Sequence, residues 1–80
     1  MLDELKTQRK VVGIKQFRKS LTGGQLLRAY LAENADPRLT DPLKEECARM
    51  GVELVLVPTM AELGAACGIA VGAAAAGILI

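Results

Sequence analysis

Lys15, Gln16 and Lys19 are the residues of this 80-residue chain whose types and spacing best suit chemistry with a partner. In a helix, positions four apart stack on one face, so Lys15 and Lys19 fall together with Thr22 close by, flanked by Gln16 and Arg18. Phe17 and Leu21 lie on the opposite side, where they would anchor the helix in a core. A lysine ammonium can donate to guanine O6 and N7, and a glutamine amide can pair with a base edge. Gly13 precedes the helix and lets the backbone pass close to a partner, and the helix N-terminus adds partial positive charge. A solvated amphipathic helix would use the same residues. On these positions alone the two readings stand level.

Charge is unevenly spread although the net value is only +1. Lys6, Arg9, Lys10, Lys15, Arg18 and Lys19 follow one another with no acidic residue between them, while acids collect from Glu33 to Glu62. Such segregation fits one positive face meeting a polyanion, or a solvated helix face.

Catalysis finds no support. There is no His to act as a general base, and no Ser or Cys stands in a nucleophile motif such as GxSxG. Gly13 and the Gly23-Gly24 pair match neither a Walker A loop nor GxGxxG. Glu45 and Glu46 are adjacent, about 100° apart on a helix, and should point into solvent. Cys47 and Cys67 form no CxxC pair, so metal binding is not expected and both read as buried free thiols. No cofactor is implied. With one Phe, one Tyr and no Trp, the core must be aliphatic and a base-stacking aromatic platform is improbable.

The elements that must position these residues alternate. A short helix from Leu2 to near Lys10 is followed by a buried strand, Val11-Val12-Gly13-Ile14, and a helix from Lys15 to about Leu21 that Thr22-Gly23-Gly24 stops. Leu26 to Ala32 reads as a strand. Asp41-Pro42 signals the start of a helix that Gly51 ends, with Leu43, Cys47 and Met50 on its apolar face. Val52 to Val57 is a strand, Thr59-Met60-Ala61-Glu62 has capping-box spacing for a helix through about Cys67, and Ala73 to Ile80 reads as a buried strand. Four helices alternating with four strands predict a single domain, a three-layer α/β/α sandwich around a mixed sheet. The uncharged tail from Leu63 onward, with Gly64, Gly68 and Gly72 every fourth residue, also has the spacing of a packed transmembrane helix. It is short and rich in Ala and Gly, and a buried helix followed by a strand explains it equally well. The opening Leu-Asp-Glu-Leu-Lys lacks the apolar core of a signal peptide, which favours a cytoplasmic location.

Three blocks of the chain carry a resemblance. They are Gly13-Ile14-Lys15-Gln16-Phe17-Arg18-Lys19, Ala32-Glu33-Asn34-Ala35-Asp36-Pro37 and Leu63-Gly64-Ala65-Ala66-Cys67-Gly68-Ile69. In this order and at these distances they resemble the ribosomal protein L7Ae family, most of all its short bacterial YbxF-type members, which share the Lys-Gln pair. The resemblance implies a non-catalytic RNA-binding protein, a ribosomal or ribonucleoprotein component; burial of the apolar tail in the sandwich predicts that it is monomeric. Its target would be the kink-turn, a bulged duplex with tandem sheared G·A pairs, in ribosomal RNA or a riboswitch. It further implies that Gly13 lies against the RNA backbone and that Lys15, Gln16 and Lys19 enter the major groove at the G·A pairs. Asp36 would help to orient that contact, and the loop Gly68, Ile69, Ala70 and Val71 would cover the extruded bulge. Where many relatives carry Asn-Glu this chain has Lys15-Gln16, and Met60, Ala65 and Val71 replace frequent basic residues. The alternatives are a protein-interaction module on the same fold and a small tail-anchored membrane protein.

Overall fold

Side-chain alternation along the strands decides which helix covers which face of the sheet. In the computed structural model, which describes residues 3–80, the order is α1 (Glu4–Thr7), β1 (Lys10–Val12), α2 (Ile14–Thr22), β2 (Leu26–Ala32), α3 (Pro37–Met50), β3 (Glu53–Val57), α4 (Met60–Ala66) and β4 (Ala75–Leu79). Tyr30, Ala32, Val57, Ala76 and Ile78 turn to one side and meet Leu5 of α1 and Leu63 and Ala66 of α4. Ala29, Leu31 and Ala75 turn to the other and meet Phe17 and Leu21 of α2 and Leu43 and Cys47 of α3. The result is the expected α/β/α sandwich. Phe17 and Leu21 are fully buried, each worth roughly 1.5–3 kcal/mol relative to exposure, and they hold α2 in a fixed rotation.

The strands lie in the order β1-β4-β2-β3. β4 is antiparallel to both β1 and β2, and β3 is parallel to β2. It follows that β1, β2 and β3 all end at the edge of the sheet where β4 begins. The helices α2, α3 and α4 start from that edge, and the loop ahead of β4 returns to it.

Several boundaries differ from expectation. The first helix is one turn, not a run to Lys10, because Gln8 is already extended and Lys10 pairs with Ile78 of β4. Leu2 lies outside the described residues. β1 stops at Val12; Gly13 has φ 99° and ψ 154°, a region open essentially only to glycine, and Ile14 already belongs to the helix. The third helix begins at Pro37 rather than Pro42. Asp36 caps it by accepting from the Arg38 N–H, and Pro42 is carried inside the helix. Both Asp-Pro pairs are start signals, and the earlier one prevails because β2 ends at Ala32 and the chain must turn there. At Thr59 the capping spacing acts as expected, its hydroxyl accepting from the Glu62 N–H at 3.1 Å.

The glycine-spaced tail is not a continuous helix. α4 ends at Ala66, Gly68 takes φ +80°, and Gly72 lies in the loop. Among the described residues no helix is long and apolar enough to cross a membrane. Gly64 instead lets helix and loop touch: a Cβ there would overlap the Val71 carbonyl oxygen. Cys47 and Cys67 are free and buried, and burial pushes both thiols upward in pKa.

Candidate nucleic-acid interface

Hydrogen bonds across the strand-end edge tie the candidate segments into one surface. The Gly13 N–H donates to the Ala75 carbonyl at 2.8 Å, and the Ala32 N–H to that of Ala74 at 2.9 Å. Asn34 Oδ1 accepts from the Met60 N–H at 2.8 Å, and the Met60 carbonyl accepts from the Ala73 N–H at 3.0 Å. The start of α2, the turn after β2, the start of α4 and the loop before β4 are thereby fixed relative to one another.

On α2, Lys15, Gln16, Arg18, Lys19 and Thr22 are exposed while Phe17, Ser20 and Leu21 are buried. The face expected from helical spacing is therefore the solvent face. None of the ion pairs among the described residues involves Lys15 or Lys19. The three helices leaving this edge also differ at their N-termini. Asp36 caps α3 and Thr59 caps α4, whereas Gly13 offers α2 no side chain and the first turn of α2 holds no acid. A lysine one residue into an uncapped helix opposes the helix dipole, a local choice that lowers helix stability and raises positive potential there. A Cβ on Gly13 would meet nothing within 4 Å. Its glycine identity answers to backbone conformation, and the space beside it is open to a partner.

The loop from Gly68 to Val71 gives the surface a different character. Ile69 is partly exposed and Val71 is 70% exposed, with Met60 at the start of α4 also showing to solvent. These apolar side chains could shield an unstacked base but would supply no charge.

Asp36 is engaged by its own helix. Its carboxylate receives the backbone N–H of Arg38 at 2.9 Å and the Arg38 guanidinium, with Nη2 at 2.8 Å. The guanidinium, then the backbone N–H, hold the Asp36 carboxyl below its usual range. Lys15, Gln16 and Lys19 thus share one face, Gly13 and the 68–71 loop share its edge, and Asp36 is engaged within α3. Arg38 is a polar residue of this edge that sequence reasoning passed over. The signal for it was present in the spacing, since an Arg two residues after an N-capping Asp can fold back onto that carboxylate.

Residues 2–80 match the sequence profile of the ribosomal protein L7Ae/L30e/S12e/Gadd45 family. An RNA-binding protein of Caldanaerobacter subterraneus subsp. tengcongensis is 39% identical over 72 residues, covering 90% of this chain and 88% of the relative. RNA-binding protein YbxF of Geobacillus stearothermophilus is 36% identical over 69 residues, covering 86% and 84%. Among solved structures, the Giardia lamblia 15.5kD RNA binding protein superposes with a TM-score of 0.90 at 26% identity, covering 99% of this chain and 70% of that one. The profile match, the bacterial relatives and the superposition agree, and the chain belongs to the ribosomal protein L7Ae/L30e/S12e/Gadd45 family.

Proposed function

We propose that this protein binds RNA as a monomer in the cytoplasm and recognises kink-turns, stabilising the bent form within the ribosome or another ribonucleoprotein. The observation that carries the reading is the open N-terminal end of α2, where Lys15 and Lys19, without an ion-pair partner among the described residues, flank Gln16 beside a glycine with free space over it. Relatives named as RNA-binding proteins supply the class of partner. Regular A-form RNA closes its major groove to side chains, so a helix can read base edges there only where the duplex is distorted. Sheared G·A pairs are such a distortion. In this reading Lys15, Gln16 and Lys19 address the G·A pairs, Gly13 lies along the backbone, and Ile69, Ala70 and Val71 cover the bulge.

The protein has these contacts only with the kinked conformer, so binding shifts the population toward it. The test compares two RNAs with identical stems, one with sheared G·A pairs and one with those pairs converted to Watson–Crick. Energy transfer between the stem ends should rise with added protein for the first RNA only. Equal binding to both, or binding without bending, would leave a generic basic surface and remove the kink-turn reading.

A further inference from the structure

The Arg38 guanidinium approaches Asp36 side-on, with Nη2 to Oδ2 at 2.8 Å and Nε to both carboxylate oxygens at 3.2 Å. A guanidinium has five N–H donors, and this pairing occupies Nε–H and one on Nη2. Of the three that remain, one on Nη1 and one on Nη2 project together from the end of the group. That end-on fork matches two oxygens of a phosphate. The Arg38 side chain is 89% exposed, so the fork faces solvent. Ordering a free arginine on a ligand forfeits much rotamer entropy. Here the orientation is set beforehand, because Asp36 is itself fixed by capping α3. The pair stands in the first turn of α3, at the strand-end edge from which α2 also starts.

We propose that Arg38, held by Asp36, grips a backbone phosphate of the RNA that docks on α2, which makes the start of α3 a second anchoring point of the interface. This inference rests on the kink-turn reading above. Arg38 acts on the phosphate itself, and Asp36 is a positioning residue. Since Asp36 offsets one unit of charge, the contact supplies orientation more than attraction, and its effect is modest.

The experiment titrates a kink-turn RNA, and its Watson–Crick-converted counterpart, at several salt concentrations with wild-type protein, Arg38→Gln and Arg38→Lys. Arg38→Gln should weaken kink-turn binding about two- to fivefold, the range of an exposed ion contact. It should also flatten the dependence of log K on log salt by up to about 0.9, the release expected for one phosphate contact. Arg38→Lys should keep the wild-type salt slope without regaining the full affinity, because it retains the charge and loses the fork. If wild-type protein discriminates between the RNAs and Arg38→Gln matches it in affinity and slope, this inference alone is overturned. Wild-type affinity in Arg38→Lys would overturn the fork. Failure of wild-type protein to prefer the kink-turn would remove both readings together.

Discussion

Arg28 and Lys19 are both cations on the same small scaffold, and the fold treats them in opposite ways. Arg28 lies on β2 with its guanidinium engaged from two sides: Nη1 donates to the Glu4 carboxylate of α1 at 2.5 and 2.6 Å, and Nε donates to Glu53 of β3 at 2.5 Å. The buried Tyr30 hydroxyl completes the group by donating to Glu4 at 2.5 Å. Four residues from three elements, Glu4 of α1, Arg28 and Tyr30 of β2 and Glu53 of β3, thus interact with one another, and a one-turn helix too short to persist alone is pinned to the sheet. Among the described residues Lys19 has no ion-pair partner, and neither has Lys15. Charges that fix architecture are consumed internally; charges left over, on a face held rigid by Phe17 and Leu21, are the ones available to a ligand.

That contrast can be broken in either half. The largest effect is expected from Lys19→Ala, which should lower kink-turn affinity by about 1–3 kcal/mol through loss of a charged contact to guanine. Lys15→Ala should do so more weakly; Lys19→Ala should leave Tm unchanged, and Lys15→Ala should raise it slightly by removing a charge that opposes the helix dipole. Calorimetric titration beside a thermal melt checks this, and undiminished affinity of a folded Lys19→Ala protein would contradict the assigned face. Tyr30→Phe is the mirror case. Removing the hydroxyl that Glu4 accepts from should cost about 1–2 kcal/mol of stability, at roughly 4–8 °C of Tm per kcal/mol, with RNA affinity unchanged.

The smallest effect, and the sharpest test of the internal cluster, is in pH. The Tyr30 phenol is pushed up to about 12, first by burial and then by the neighbouring Glu4 carboxylate. A folded pKa above the unfolded one contributes stability that is complete below the unfolded value of 10.0 and disappears as pH rises toward about 12. Glu4 is held low, chiefly by the Tyr30 hydroxyl and then by Arg28, so its contribution is present above the ordinary value of 4.5 and fades as pH falls through the lowered one. Denaturant midpoints measured across pH should therefore fall at both limits in the wild type. The alkaline limb should be shallower in Tyr30→Phe, reduced to what the raised Cys47 and Cys67 thiols contribute.

The two regions were not equally legible beforehand. The α2 face could be read because its apolar and polar residues repeat within nine positions, a local pattern that tertiary context had only to accept. The Glu4–Arg28–Tyr30 cluster joins residues 24 and 26 positions apart, and no periodicity announces such a meeting. Capping chemistry was legible at Thr59, where one signal stood alone. It misled at Asp41, where a competing Asp-Pro pair five residues earlier starts the helix. The number and kind of strands followed from apolar runs, whereas their order depends on pairings between β1 and β4 that only the packed sheet discloses.

The place of β4 also bears on how the molecule comes into being. Of the four strands among the described residues it is the last in sequence, and it is an interior strand of the sheet, with β1 on one side and β2 on the other. During synthesis the earlier strands emerge first, yet only β2 and β3 can pair directly with each other. Until residues 75–79 arrive, β1 has no neighbour, and the apolar faces of α2 and α4 have an incomplete surface to pack on. Closure is thus a late event that joins the first strand to the last, the kind of long-range pairing that slows folding. The proposed RNA surface inherits this timing. Gly13 is held by the carbonyl of Ala75, so the nascent chain has no assembled binding edge before its final strand is in place.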